Sequence, residues 1–314
     1  MANSSLWYIL HNPYSGEGRH AATWQRMQAE LERDGYRFVW ISPTAGEQVS
    51  LAVAQAIERG ARQLLVLGGD GSHHLAINGL MMQQACLPQS VRYALFPAGT
   101  GNDWARMYRL PRQPAVWLQM FRAQRYRCQD VGVIEARGRK GQPIRHYFAN
   151  VLGMGYDAEV VRYLAEQHLT DRGGWRYARA IYRCLNQYRA VPLRVEADQQ
   201  VHQASFYSLN VGICRYSGNG MRFVPQADPQ DGQLAYTLID DLPAWRVAIN
   251  TPWLYTPYFD RHPLSTAGQA TRIRIAHQGG QPSLIEADGE LIGQTPATLS
   301  LLPLALQFLA PAPQ

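Results

Sequence analysis

The stretch that decides the fold is Leu64-Leu-Val-Leu-Gly-Gly-Asp-Gly-Ser-His-His-Leu-Ala-Ile-Asn-Gly-Leu80. Its leading apolar residues are typical of a buried parallel strand. Gly68, Gly69 and Gly71 then surround one acid, Asp70, and the apolar residues that follow fall at helical spacing. A strand, a glycine turn and a helix in this order direct backbone N–H groups at a phosphate.

The glycine turn matches neither of the two common phosphate-binding loops. It lacks the Lys-Ser/Thr of a P-loop and the Gly-x-Gly-x-x-Gly of a dinucleotide-binding fold. A tight turn that uses glycine for its geometry alone is the alternative interpretation. Glycines around an acid at the carboxyl end of a strand nevertheless favour a binding site.

Composition limits the class of protein. The chain has 314 residues, 46% of them hydrophobic and 17% charged, so it can bury a core and is long enough for two domains. Lys and Arg outnumber Asp and Glu by 30 to 24, a balance that suits an anionic partner such as a membrane surface or a nucleotide. The basic residues are scattered, and we therefore expect no nucleic-acid partner.

Cysteine usage and hydropathy indicate the compartment. The four cysteines are widely spaced and form no Cys-x-x-Cys, which argues against zinc or a disulfide framework and for a reducing cytoplasm. The N-terminal sequence lacks the pattern of a signal peptide, and no apolar run is long enough to span a bilayer. We expect a cytoplasmic protein.

The first part of the chain alternates strands with helices. Strands are predicted at 6–10, 36–41, 64–67 and 91–96, with helical spacing of apolar residues between them. This alternation predicts an α/β domain with a doubly wound, mostly parallel sheet. The glycine and proline turns all follow strands and lie on one edge of that sheet, where such sheets bind ligands.

The pattern changes to hairpins near residue 125. Paired strands are predicted near 127–136 and 145–151, and again near 193–197 and 202–211. Hairpins are typical of an antiparallel sheet. The predicted domains are an α/β domain over residues 1–128, rejoined by the tail 299–314, and a β-rich domain over 129–298.

Several motifs follow one another in a recognisable order. They are Asn12-Pro-x-Ser-Gly16, Gly68-Gly-Asp-Gly, Asn78-Gly, Pro97-x-Gly-Thr-Gly-Asn-Asp-Trp-Ala-Arg106, Asp130-x-Gly132, Gly153-x-Gly-x-Asp157-Ala, Asn210-Val-Gly, Pro225-x-Ala, Asp231-Gly-x-Leu and Asp288-Gly-Glu290. With them the sequence resembles the soluble lipid kinase family built on the diacylglycerol kinase catalytic domain. That family includes bacterial diacylglycerol kinases, sphingosine and ceramide kinases and, more distantly, NAD kinase and phosphofructokinase.

The resemblance implies an ATP- and Mg²⁺-dependent lipid kinase with its active site in the cleft between the two domains. The α/β domain over 1–128 would bind the nucleotide, and the β-rich domain over 129–298 would bind the lipid substrate. The acceptor would be a hydroxyl of a diacylglycerol-like or sphingoid lipid at the membrane surface. The enzyme would be peripheral to the inner face of the membrane, and a homodimer is left open. The alternatives are a kinase of a soluble hydroxylated acceptor, as in the NAD kinase branch, and a nucleotide-binding regulatory protein with lost kinase activity.

The resemblance also places the nucleotide at the glycine edge. The residues implied around ATP are Asn12, Ser15, Gly16, Thr44, Gly68, Gly69, Asp70, Gly71, Ser72 and Thr100. Asp70 and Asp103 repel phosphates, so their implied role is to hold Mg²⁺, directly or through water, with Asp130 as a third carboxylate. The alternatives are a first-turn helix charge for Asp103 and a solvated strand-edge acid for Asp130. Asn102 can cap the helix that follows it.

The second domain carries two further acidic turns. Asp288-Gly-Glu290 resembles the family's catalytic acid pair, with Glu290 as the base that takes the lipid hydroxyl proton and Asp288 as its support or as a metal ligand. A plain hairpin turn is the alternative. Asp231-Gly-Gln-Leu234 resembles a structural Mg²⁺ loop, with oxygens at Asp231, Asp228 and Gln233 as ligands. A type I turn at Asp228 is equally consistent with that sequence.

A few residues depart from the family pattern or resist assignment. Leu75 replaces a usual acid of the family, and Glu17 stands where many bacterial members carry lysine. His73 and His74 are adjacent, which argues against a shared metal and for a place at the surface or the core edge. Aromatic residues at 253–258 could contact the apolar part of a lipid or an anionic interface, and ordinary core packing is the alternative.

Overall fold

The structure, a computed structural model, describes residues 6–11, 21–42, 49–166, 182–185 and 187–312. The chain forms two compact units. Unit 1 contains residues 1–131 and 303–314, and unit 2 contains residues 132–302. The sequence-based division places its boundaries at 128 and 298 instead.

Unit 1 is built on a parallel sheet. Its strands are β1 (Leu6–His11), β2 (Arg37–Ile41), β3 (Gln63–Gly68) and β4 (Arg92–Pro97), and its helices are α1 (Ala21–Arg33), α2 (Val49–Glu58), α3 (Asp70–Met82), α4 (Asp103–Met107) and α5 (Pro114–Ala123). The strand order is β2-β1-β3-β4, with parallel pairing throughout. Gln307 and Phe308 add a further parallel pairing beside β4.

The helices of unit 1 pack in two pairs. α1 contacts α5, and α2 contacts α3. All six residues of β3 are buried, as expected of a central parallel strand that is covered on both faces. The helices α2 and α3 pack tightly at Gly79, where an added Cβ would lie 2.4 Å from the carbonyl oxygen of Ser50. That the two helix pairs cover opposite faces stays a prediction.

The strand order of unit 1 changes direction at β1. This strand pairs with β2 on one side and with β3 on the other. The connections that leave the carboxyl ends of β1 and β3 therefore diverge, and this is where open α/β sheets bind ligands. The glycine turn after β3 lies at this point.

Unit 2 is an antiparallel β structure. Its strands are β5 (Tyr126–Arg137, begun in unit 1), β6 (Pro143–Phe148), β7 (Val151–Gly155), β8 (Val191–Ala197), β9 (Gln200–Gly212), β10 (Tyr216–Ser217), β11 (Met221–Arg222), β12 (Leu234–Asp240), β13 (Ser265–Ala270), β14 (Ile273–His277), β15 (Leu284–Ala287) and β16 (Glu290–Leu309, completed in unit 1). The helices α6 (Tyr156–Glu166) and α7 (Ala244–Asn250) belong to this unit, and residues 182–185 are also helical. Two 3₁₀ helices cover Thr251–Tyr255 and Phe259–Arg261.

The strand pairings of unit 2 form a closed circuit. β9 pairs with β7, β7 with β15, β15 with β16, β16 with β14, β14 with β8, and β8 again with β9. Closure leaves no unpaired edge within the circuit. Its interior is filled by buried apolar side chains, among them Phe148, Leu209 and Ile285.

One predicted strand is divided. The sequence predicts a continuous strand over 145–151, whereas β6 ends at Phe148 and β7 begins at Val151. The backbone N–H groups of Ala149 and Asn150 are instead bound by the carboxylate of Asp288. The prediction was wrong here because the group that interrupts the ladder is remote in sequence.

Among the described residues, no helix is both long enough and apolar enough to cross a membrane.

Candidate active site

Two acids lie at the carboxyl edge of the parallel sheet in unit 1. Asp70 opens α3 directly after β3, and Asp103 opens α4 after the turn that follows β4. The backbone N–H of Trp104 donates to Oδ1 of Asp70 over 3.3 Å. Burial, and after it the charge of Asp103, raise the pKa of Asp70 to about 6. Two carboxylates that disfavour each other's ionisation form a place where a hard cation is stabilised.

The glycines of the two turns allow the turns to touch. A Cβ added at Gly99 would lie 2.4 Å from the Cα of Gly69, and one at Gly101 would lie 2.9 Å from Oδ2 of Asp70. Neither turn could hold this position with a larger residue at these points. The geometric interpretation of glycine is therefore confirmed, because close approach brings the second turn onto the Asp70 carboxylate. The binding interpretation stays a prediction.

Asn102 holds the second turn closed. Its Oδ1 accepts the N–H of Gly99 over 3.0 Å, and its Nδ2 donates back to the carbonyl of Gly99. The residue occupies the N-cap position of α4 with φ 52°, but its side chain makes no capping bond to the helix. The prediction that Asn102 caps this helix was wrong, because the amide is already used within the turn.

The first turn of α3 has backbone donors available for a ligand. Its N-cap residue is Gly69, which supplies no side-chain acceptor. The opening N–H groups of a helix have no partner within the helix, so they are suited to phosphate oxygens. Ser72 is buried in this turn, and Thr100 is exposed in the neighbouring one. The other implied nucleotide contacts, Asn12, Ser15, Gly16 and Thr44, lie outside the described residues.

Asp130 is buried, whereas the alternative interpretation requires an acid exposed to solvent at a strand edge. It is 1% exposed, so it is not a solvated acid at a strand edge. Its Oδ1 accepts the backbone N–H of Leu304 over 2.7 Å. Within the described part of the chain, no group of three or more His, Cys, Asp or Glu side chains is arranged to hold a metal. A metal-binding role for Asp130 stays a prediction.

In unit 2 the turn Asp288-Gly289 joins β15 to β16. Both residues have positive φ, 53° and 88°, as a two-residue type I′ hairpin requires. The Asp288 carboxylate accepts N–H groups from Ala149, Asn150 and Val151 over 3.0–3.2 Å. The hairpin interpretation is thus correct for the backbone, and the acid in addition fixes the turn to the start of β7.

Glu290 is the first residue of β16 and is exposed. Its predicted partner Asp288 is buried and turned to the backbone, so the two acids of this motif have different surroundings. The two acids can therefore have different roles. Asp288 holds the turn in place, and Glu290 is accessible to a hydroxyl group that approaches from solvent.

A third acid of this hairpin was missed by the sequence analysis. Glu286 is 3% exposed, and its Oε2 accepts the N–H of Gly289 over 2.9 Å. Burial, opposed by that hydrogen bond and reinforced by the charges of Asp157, Asp288 and Glu290, raises the pKa of Glu286 to about 8. The available signal was an acid between the apolar residues of a short strand, two positions before the acidic turn.

Asp157 lies beside this hairpin in the same unit. The Oγ of Ser208 and the Nδ2 of Asn210 both donate to its Oδ2. Burial raises the pKa of Asp157 in spite of these bonds. The motifs at 153–157 and at 210 therefore meet in space, and a Cβ at Gly153 would lie 2.5 Å from Oε1 of Glu286.

The Asp231 loop is a hydrogen-bonded turn. Oδ1 of Asp231 accepts the N–H of Gln233, and its Oδ2 accepts the amide of Gln269. Oδ1 of Asp228 accepts the N–H of Gln230 over 3.0 Å. These bonds support the turn interpretation, and the structural Mg²⁺ site at Asp228, Asp231 and Gln233 stays a prediction.

The two adjacent histidines are core residues. His73 and His74 are each 1% exposed, so the expectation of a surface or core-edge place was wrong. Nδ1 of His73 lies 2.7 Å from the Tyr93 hydroxyl, and its ring stacks on Trp104. The cause is α3 itself, which is buried along nearly its whole length.

Two family models match the chain. Residues 6–134 match the diacylglycerol kinase catalytic domain, and residues 150–310 match the YegS C-terminal NAD kinase beta sandwich-like domain. The chain is 27% identical over 305 residues to a diacylglycerol kinase of Mycobacterium tuberculosis. The alignment covers 96% of this chain and 94% of that relative. It is 22% identical over 289 residues to a diacylglycerol kinase of Staphylococcus carnosus, covering 92% and 90% of the two chains.

Solved structures share the fold. A diacylglycerol kinase of Bacillus anthracis matches with a TM-score of 0.66 and 16% identity, covering 98% of this chain and 97% of that one. Yeast NADH kinase in complex with NADH matches with a TM-score of 0.56 and 11% identity, covering 98% and 84%. These likenesses confirm the predicted two-domain fold with a β-rich C-terminal part.

Proposed function

Because this chain belongs to the diacylglycerol kinase catalytic-domain family and is a lipid kinase, we propose that it transfers the γ-phosphate of ATP, with Mg²⁺, to a hydroxyl of a diacylglycerol-like or sphingoid lipid. The observation that carries this proposal is the pairing of Asp70 with Asp103 beside the uncapped start of α3. A bound nucleotide needs hydrogen-bond donors for its phosphate oxygens and a cation that neutralises their charge. The N–H groups at the start of α3 would supply the donors, and the two acids would bind the cation.

The chain's own groups in unit 1 would bind and orient the nucleotide. The N–H groups of Gly69 to Ser72 would contact phosphate oxygens, and Asp70 and Asp103 would hold Mg²⁺. The buried position of Asp70 and its raised pKa fit such a cation, because a nearby positive charge restores the ionised carboxylate. When bound, Mg²⁺ neutralises the charge on the transferred phosphoryl group.

The groups of unit 2 would act on the acceptor. Glu290 is exposed on a turn that Asp288 fixes through three backbone N–H groups. It would take the proton of the lipid hydroxyl as that oxygen attacks phosphorus. Glu286 would position this turn by accepting the N–H of Gly289. Its raised pKa favours the uncharged form, which adds no further negative charge next to the turn.

The acceptor lipid would be reached at the membrane surface, by peripheral contact from the cytoplasmic side. The formal charge of +6 supports this, since cytoplasmic leaflets carry anionic lipids. The charge is not confined to one basic run, so a nucleic-acid partner is not proposed.

The test is a phosphorylation assay with labelled ATP against a panel of diacylglycerols, sphingoid bases and ceramides in mixed micelles. We expect label in one lipid class with wild type. Asp70→Asn and Glu290→Gln should each lower kcat by at least about a hundredfold, because each removes a group that acts in the transfer.

Glu135→Gln is the matched control for Glu290→Gln, because Glu135 is an exposed acid of the same unit and pairs with Arg145. It should keep wild-type activity. Full activity of Glu290→Gln would exclude Glu290 as the base. Binding of ATP without labelling of any lipid would overturn the proposed reaction.

A further inference from the structure

An aromatic patch on unit 2 has no role in the proposed transfer. The patch consists of Trp245, Ile249, Trp253, Tyr255 and Tyr258, which are 63%, 66%, 43%, 57% and 56% exposed. Large apolar side chains clustered at such exposure mark a surface that is covered by another partner. The sequence analysis considered 253–258 as core or as lipid contact, and the exposure excludes a core place for three of these rings.

The segment that carries the patch is anchored from beneath. Trp245 and Ile249 are four residues apart on α7 and so lie on one face of it. On the opposite side, Val247 and Leu254 pack against the buried cluster of Tyr207, Ile239 and Phe259. The apolar side chains therefore divide between two faces, one fixed to unit 2 and one presented to solvent.

The segment that carries the patch has a basic residue and no acidic one. Between Leu242 and Phe259 the only charged residue is Arg246, whose guanidinium lies over the Trp245 ring at 5.8 Å. The 3₁₀ helix that follows α7 contacts β11, which carries Arg222. Acids stand outside the segment, at 240, 241 and 260, and the last of these faces Arg261 at 3.9 Å.

We propose that this patch is the surface by which the chain docks on a phospholipid bilayer. Trp and Tyr place an apolar ring and a polar group at the membrane–water boundary, and arginine beside them complements lipid phosphates. The inference rests on the proposed function, since a kinase of membrane lipids must meet its acceptor at that boundary. It adds which residues enter the interface.

The test is co-sedimentation of the full chain with vesicles of phosphatidylcholine and phosphatidylglycerol. The variant Trp245→Gln/Ile249→Gln should lower vesicle partitioning by at least about tenfold, because two exposed anchors are lost. Leu87→Gln is the matched control, since Leu87 is 67% exposed in unit 1 and should leave partitioning unchanged. Thermal melting verifies that each variant keeps its fold.

Activity gives a second readout. The double variant should phosphorylate long-chain diacylglycerol in those vesicles more slowly, but a dispersed short-chain diacylglycerol at the wild-type rate. Equal loss on both substrates, or wild-type vesicle partitioning of the variant, would overturn the docking surface.

Two further outcomes separate the competing explanations. A change from dimer to monomer in the double variant, with vesicle binding unchanged, would assign the patch to a second copy of the chain and overturn the proposal. Patch-dependent vesicle binding by a wild-type chain that labels no lipid would support the docking surface and overturn the proposed reaction instead.

Discussion

At the scale of single residues, each unit contains an acid that is kept away from water: Asp70 in unit 1 and Glu286 in unit 2. Asp70 and Glu286 both have raised pKa values, about 6 and about 8, and burial is the main cause in each case. The strand, turn and helix around Asp70 could be predicted from the glycine pattern, because that pattern is local. The role of Glu286 could not, because burial arises only when the strands around it have assembled.

Asp70→Asn should stabilise the fold while it removes activity. The folded-state pKa of Asp70, about 6, lies above the ordinary value of 3.8, so ionisation destabilises the folded state as pH rises through that window. Above the window the variant should gain on the order of 3 kcal/mol in the free energy of unfolding. Urea unfolding of both proteins below pH 4 and above pH 7 checks this, and an equal difference at both ends would contradict it.

Glu286→Gln should remove a pH dependence. The pKa of Glu286 is raised from 4.5 to about 8, so the folded state of wild type binds an extra proton between these values and loses stability as pH rises through them. Glutamine keeps an acceptor for Gly289 and carries no charge. The slope of unfolding free energy against pH should flatten in the variant and stay unchanged in Glu135→Gln, and a slope identical to wild type would disprove the assignment.

At the scale of elements, the structure depends on a few contacts between segments that are distant in sequence. The bounds of β3, α3 and β4 follow closely from apolar periodicity and turn residues, which are local signals. The division between β6 and β7 does not, because its cause is the carboxylate of Asp288, 138 residues from Asn150. Sequence periodicity carries no information about such a partner.

Asp288→Ala should therefore loosen the start of β7. It leaves three buried N–H groups without their charged acceptor, at a cost of about 3 kcal/mol in the free energy of unfolding. Hydrogen exchange at residues 149–151 should accelerate. Asp288→Asn retains one acceptor oxygen, so its exchange rate should lie between those of wild type and Asp288→Ala. Unchanged exchange in Asp288→Ala would refute the contact.

Gly79→Ala should separate α2 from α3. An alanine normally stabilises a helix relative to glycine by about 1 kcal/mol, but here its Cβ meets Ser50 and Val53. We expect a net loss of about 1–3 kcal/mol in the free energy of unfolding. Gln55→Ala, at an exposed position of α2, is the control and should be neutral or stabilising. A stabilised Gly79→Ala protein would show that the helices move apart freely.

At the scale of the whole molecule, the two units share one strand. β16 begins in unit 2, where it pairs with β15 and β14, and ends in unit 1, where it pairs with β4. The change from alternating α/β elements to hairpins predicted two kinds of architecture, and the likeness to solved structures confirmed the two-domain fold. The closed circuit of unit 2 could not be predicted, because strand order is set by pairings that the sequence does not display.

Two substitutions in β16 should report on different units. Phe308 is fully buried in unit 1, in contact with Trp104 and Tyr108, and Leu299 is fully buried in unit 2. Phe308→Ala and Leu299→Ala should each lower the free energy of unfolding by about 3–5 kcal/mol, because each leaves a cavity. Hydrogen exchange should rise in the parallel sheet for the first and in the antiparallel circuit for the second, and the same pattern for both would contradict two separate cores.

The shared strand also has a consequence for the order in which the protein is synthesised. Residues 303–309 are added only after all of unit 2 has been translated, yet they complete the sheet that begins at residue 6. Unit 2 is thus complete within one uninterrupted segment of nascent chain, while unit 1 must wait for its last strand. Since domains generally fold as units during translation, the half that is made first should finish folding second.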